Sequence, residues 1–341
     1  MSSYDDHAGD AGARAPHQPG AGHRSTNRRP TDPQPAADLL RRTSLLTWAG
    51  LGALTALTAL LPWLATGARL PLQNLWREPT SPADMPRVLL PFSQYALTQL
   101  LSLLVTGHAL AGLLARLLAR TTRLRWPRRS VLALAAGVLG VQLLAAAQTT
   151  LTVAGGLSAR PASALYLAAL LAALSIALAV GLLVLRLLLA ASRAAVVVGV
   201  SLSAVLGASW LSSLLTPFTT AGGAAASGQH WLPAVLVGAV IAWSGVRSAG
   251  RVLAAAGGLA LLWVLPAALT AVTSAAGFRL LLPHPRELAG YGAQVFQAAL
   301  LTPGLVLPPL LLALVVAAGG SAAHHLLTHR PAVRRRGDRS R

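Results

Sequence analysis

Residues 162–190 read ASALYLAALLAALSIALAVGLLVLRLLLA, an apolar run interrupted by a single charge, Arg186. One helical crossing of a bilayer takes about 20 consecutive, mostly apolar residues. This run exceeds that length and is too long for a core strand. Comparable blocks recur at 44–66, 88–119, 131–155, 194–216, 230–248, 252–276 and 298–322. The fold class they predict is all-α, a polytopic transmembrane bundle of about eight helices filling residues 44–322. Only Arg247 to Arg251 separates the sixth block from the seventh, which suits a tight charged hairpin. Residues 277–297 are amphipathic and predict a short surface or re-entrant helix.

Composition agrees. Of 341 residues, 54% are hydrophobic and only 11% charged, against about a quarter charged in soluble domains. The mean hydropathy is +0.60. Residues 1–43 are polar, with no hydrophobic period, and predict a disordered tail. That tail and the block after it are both too long for a cleavable signal peptide. Residues 323–341 form a basic C-terminal tail.

The net charge of +19 raises the question of nucleic acid. The arginines flank apolar blocks and lack the interleaved aromatic residues of a nucleic-acid face, so no nucleic-acid partner is expected. Anionic lipid headgroups are the simpler partner. The candidate contacts are Arg116, Arg120, Arg123, Arg125, Arg128 and Arg129, between the second and third blocks. Alternate loops collect most of the arginines, and only Arg69, Arg77, Arg87, Arg160, Arg279 and Arg286 fall on the other side. By the excess of positive residues in cytoplasmic loops, both termini are expected inside a bacterial inner membrane. Trp63, Trp210 and Trp231 then fall near outer ends, and Trp48, Trp126 and Trp243 near inner ones, as an aromatic belt would.

Several chemistries are excluded. There is no cysteine, hence no disulfide, thiolate site or cysteine nucleophile. There is no lysine either, which removes the phosphate-binding loop of the P-loop ATPases. Every carboxylate, from Asp5 to Asp338, lies in a tail or an outer loop. Ion-coupled transporters usually carry such a group within the membrane. With no nucleophile–base pair and no metal set, neither enzymatic activity nor a cofactor is expected. His108 is the ionisable residue deep within a block. It reads either as a neutral histidine hydrogen-bonded between helices or as a proton carrier. His325 and His329 have the i, i+4 spacing of a zinc pair, with His324 beside them, but no acid accompanies them.

Neutral polar residues are more suggestive. Gln94, Thr98, Ser102 and Thr106 share a helical stripe in the second block, with Tyr95 and Gln99 beside it. The third block supplies Gln142, Gln148, Thr149 and Thr152; the fifth Ser209, Ser213 and Thr216; the seventh Thr270, Thr273 and Ser274. Most fall in the expected outer halves, where an amide facing lipid is costly. They line either an outward-facing, uncharged vestibule for a solute or lipid headgroup, or an interhelical contact in which hydroxyls bond their own helices. The loop from Leu70 to Pro86, with Gln73, Asn74 and Trp76, suits a structured cap or an interfacial anchor. Pro266, Pro303, Pro308 and Pro309 should kink or break the last two blocks, most of all over 302–309. Two functional expectations result: a transport-type or lipid-handling protein, or a membrane scaffold for envelope machinery.

Overall fold

The computed structural model describes residues 35–122, 128–216, 224–278 and 284–328. The chain divides into Met1–Arg41 and Arg42–Arg341. Only the start of a helix is described in the first unit; the helical bundle belongs to the second.

All regular secondary structure among the described residues is helical. In chain order the helices are α1 (Pro35–Ala65), α2 (Leu97–Thr122), α3 (Arg128–Gly156), α4 (Pro161–Leu189), α5 (Arg193–Leu215), α6 (Ala224–Ser244), α7 (Ala249–Gly277), α8 (Pro285–Leu301) and α9 (Pro303–Thr328). A 3-10 turn, Gln94–Ala96, leads into α2. Among the described residues, 7 helical stretches are long and apolar enough to cross a membrane, and the apolar part of α6, Trp231–Ser244, is a shorter one. The protein is therefore a multi-pass helical membrane protein.

Three boundaries differ from those expected. Helix α1 begins at Pro35, so residues 35–43 are helical; alanine and leucine are strong helix formers and extend the span backwards. Residues 1–34, the rest of the expected tail, lie outside the described residues, as do 329–341. The second block loses residues 88–93 to the preceding loop, because Pro91 disfavours helix before it. Ser93 is extended (φ −149°, ψ 150°) and its hydroxyl accepts from the Tyr95 amide to start the turn. The last block is split. Pro303 ends α8 at Thr302 (ψ 103°), and proline in the first turn of a helix sacrifices no hydrogen bond. Pro308 and Pro309 continue inside α9, so the irregular stretch expected over 302–309 shrinks to one residue.

Successive spans alternate in direction, which gives this unit two ends. One carries the 66–93 loop and is the cap end. The other carries Arg116, Arg128, Arg193, Arg247 and Arg251. Helix α2 is central, packed on α4 and α5, and its span is 67% buried, against 6% for α9. Helices α1 and α3 approach closely: a Cβ on Gly52 would meet the Leu134 carbonyl, and one on Gly137 the Ala49 carbonyl. Without a hydrophobic drive between helices in lipid, such small-residue contacts are a main source of packing energy. Helix α8 returns along α7, where Leu300 meets Trp263 near the middle of α7. Helix α9 then continues beside α6, with Ala313 at Gly238 and Gly320 at Ala242.

Candidate functional site

The cap end is built by long-range bonds. The 66–93 loop folds back on itself, with Val88 N–H donating to Ala68 O (2.8 Å) and Leu70 N–H to Pro86 O (2.9 Å). The reversal occurs at Gly67 (φ 90°) and Ala68 (φ 52°), and left-handed backbone favours glycine. Leu70, Met85, Leu90 and Phe92 are buried and join Leu100, Leu104 and Val153 in one core cluster. Side chains from the helices then satisfy the loop's backbone. Gln148 accepts from Leu89 N–H (3.0 Å) and donates to Arg87 O (3.2 Å). Thr149 accepts from Leu90 N–H (3.1 Å). Trp63 Nε1 donates to Val88 O (2.8 Å). Gln73 Nε2 donates to Phe92 O (3.2 Å), while its Oε1 accepts from the Tyr166 hydroxyl (2.6 Å). Trp63, expected at an interface, is thus buried inside the cap.

The expected vestibule residues consequently part into three groups. Gln148 and Thr149 hold the cap. Gln94, Thr106 and Gln142 are buried in the bundle, where Gln142 Nε2 donates to Leu104 O (2.9 Å). Thr98, Ser209, Thr270 and Thr273 line a common cavity. Tyr95 and Asn74 exchange hydrogen bonds on the surface of the cap (3.1 and 3.3 Å). Gln99 is half-buried on α2, and Ser213 donates to Ser209 O (2.9 Å) within α5. The structure therefore brings together four of the sixteen candidates, Thr98, Ser209, Thr270 and Thr273, at a cavity.

That cavity has a volume of about 300 Å³ and lies where α2, α5, α6, α7 and the α8–α9 break meet. Its wall is mostly apolar, with Val205, Leu262, Ala267 and Val306, and is shaped by Pro233, Pro266 and Pro309. Sequence reasoning had not placed Trp263 here. It lines the cavity and its indole N–H donates to Leu300 O (3.0 Å), satisfying a carbonyl that the break leaves open. A tryptophan in mid-span was the one signal available. Three of the cavity's four hydroxyls donate along their own helices: Thr270 to Pro266 O (2.9 Å), Thr273 to Leu269 O (2.7 Å) and Ser209 to Val205 O (3.4 Å). Their oxygens keep accepting lone pairs. No ionisable side chain is among the lining residues.

His108 is fully buried. Its Nδ1 lies 3.0 Å from Leu104 O, and since a carbonyl only accepts, this nitrogen carries the proton. The ring rests on Gly181, where any Cβ would strike it. Among the described residues Nε2 has no hydrogen-bond partner. Of the arginines expected on lipid, Arg116 instead donates to Leu188 O (2.5 Å) and Ala190 O (3.0 Å) at the end of α4. Arg128 and Arg129 are exposed at the start of α3; the side chain of Arg120, and Arg123 and Arg125 altogether, lie outside the described residues. His324 and His325 stand in the last turns of α9, and His329 is not described. Among the described residues no group of three or more His, Cys, Asp or Glu is placed to hold a metal ion. No protein-family model, no curated protein and no solved structure matches the chain.

Proposed function

We propose that the protein is a permease-like, lipid- or solute-handling protein of a bacterial inner membrane, with the cavity at the α8–α9 break as its binding site. The observation that carries this reading is the chemistry of that wall. It is mostly apolar and uncharged, and the hydroxyl hydrogens of Ser209, Thr270 and Thr273 are committed to α5 and α7. What remains for a ligand is apolar surface, a few accepting oxygens and the Thr98 hydroxyl on α2. That suits a mainly apolar molecule carrying one or two donors. Substrate sites in many transporters lie beside discontinuous helices near the bilayer midplane, and the break at Thr302 supplies that element. Without a carboxylate in any apolar block, the protein works as a facilitator or within an energised complex. The arginine bias supports an orientation with both termini in the cytoplasm, which turns the cap end and the cavity half nearest it outward.

The test is native mass spectrometry of the protein gently extracted from its own membrane, beside Thr270→Trp. Thr270 is exposed at the cavity rim, so an indole there fills the space without displacing the core. A stoichiometric lipid or apolar small molecule on the wild type that is lost from the variant supports the reading. A ligand retained equally by both overturns it. A stoichiometric second protein with no small ligand also overturns it, and makes a scaffold the better account.

A further inference from the structure

At the arginine end, remote from that cavity, a second one of about 140 Å³ is walled by Arg193, Arg247, Arg251, His324 and His325, with Trp243 beside them. The residues come from four elements: the start of α5, the end of α6, the start of α7 and the end of α9. We propose that this cavity binds a phosphate group, as the free anion or as the headgroup of a phospholipid.

Three arginines line this cavity, and like charges in one cavity repel unless an anion sits among them. Two of them are held in place by bonds that do not neutralise them. Arg251 donates to Ser244 O at the end of α6 (3.1 Å). Arg193 lies over the Trp243 ring, 5.5 Å from its centroid. Their positions make the potential worse. Arg193 is the first residue of α5 and Arg251 lies in the first turn of α7, and helix starts already carry about half a positive charge. The ends of α6 and α9 return about half a negative charge each, less than the three guanidinium charges. Among residues with described side chains, the carboxylates are Glu78 and Asp84 in the cap loop and Glu287 in the first turn of α8. None faces this cavity. Its volume equals that of roughly five water molecules, room for one tetrahedral oxyanion. Arginine forks match phosphate oxygens in pairs, which favours phosphate over a monovalent halide. The inference does not depend on the function proposed for the other cavity.

Two probes separate the sources. Inorganic phosphate is titrated into protein in a neutral detergent and followed by calorimetry. Nanodiscs of phosphatidylcholine with and without phosphatidylglycerol are compared by native mass spectrometry after release. Arg247→Gln is the test variant, because the residue is exposed in the α6–α7 turn and its loss spares the fold. Arg128→Gln with Arg129→Gln is the control, at the same end but outside the cavity. Saturable phosphate binding weakened about tenfold in Arg247→Gln, the loss of one charge-assisted hydrogen bond, supports a free-anion site. Retained phosphatidylglycerol lost in the same variant, without free phosphate binding, supports a headgroup site. Binding of neither probe overturns the proposal. So does an equal loss in the control, which would show surface charge alone.

Discussion

The two halves of the bundle spend the same kinds of residue differently. In the half formed by α1 to α4, Gln142, Gln148, Thr149 and Tyr166 reach across to another segment. Gln148 and Thr149 bond backbone 59 residues away. In the half formed by α5 to α9, serine and threonine bond carbonyls within their own helices. The first half is closed by its polar groups. The second leaves a cavity beside them, at a helix that proline has broken. Uncharged polar residues therefore yield a seal in one place and a lined space in another. What separates the outcomes is whether a partner backbone lies within reach.

The contrast can be broken from either side. The largest effect is expected at the α1–α3 crossing. Gly137→Val forces side-chain atoms onto the Ala49 carbonyl and should cost about 3 kcal/mol, the upper part of the overpacking range. Unfolding in graded denaturing detergent would record it, and an unchanged midpoint would contradict the close crossing. Next is Gln148→Ala. It leaves Leu89 N–H and Arg87 O without their partner, at about 1–3 kcal/mol. Hydrogen exchange at Leu89 should rise while ligand occupancy of the cavity stays the same; continued protection would mean that Gln148 is no latch. Tyr166→Phe removes one bond to Gln73 and should cost about 1 kcal/mol, read in the same unfolding assay. Smallest is Thr273→Val in the cavity half. Its hydroxyl bonds only α7 itself, and such bonding back to the helix adds little. A change below about 0.5 kcal/mol is expected, and a loss as large as that of Gln148→Ala would erase the distinction between the halves.

The spans were legible because hydrocarbon thickness imposes a length on them, and residues 162–190 satisfy it with nothing else in view. The break at Pro303 was legible too, since proline acts on its immediate neighbours. The division of the polar stripe was not. Gln142 and Gln148 occupy one helix, yet one is buried against Leu104 and the other holds the cap. That difference is decided by a loop whose partners are remote in the chain. Gln73 stood out as half of an amide pair in an unusual loop, but nothing in its surroundings named Tyr166. The arginines at 193, 247 and 251 were read as topology signals, because only the folded arrangement of α5, α6, α7 and α9 shows that they share a cavity.

The bonds that close the cap also set an order of assembly. Apart from Trp63 on α1, the helix side chains that fasten it come from α3 and from the start of α4, with Tyr166 reaching Gln73 across 93 residues. When the ribosome has delivered α1, the loop and α2, none of those fastenings has been made. The segment containing Leu70, Met85 and Phe92 packs on α1 and α2 but must wait for α3 and α4 to complete its cover. Contacts of such long range form late, after the entropy of closing the intervening chain has been met. The first hairpin is thus the earliest part to be synthesised and among the last to be finished. A chain stalled before α4 would present that unfinished surface to whatever assists membrane insertion.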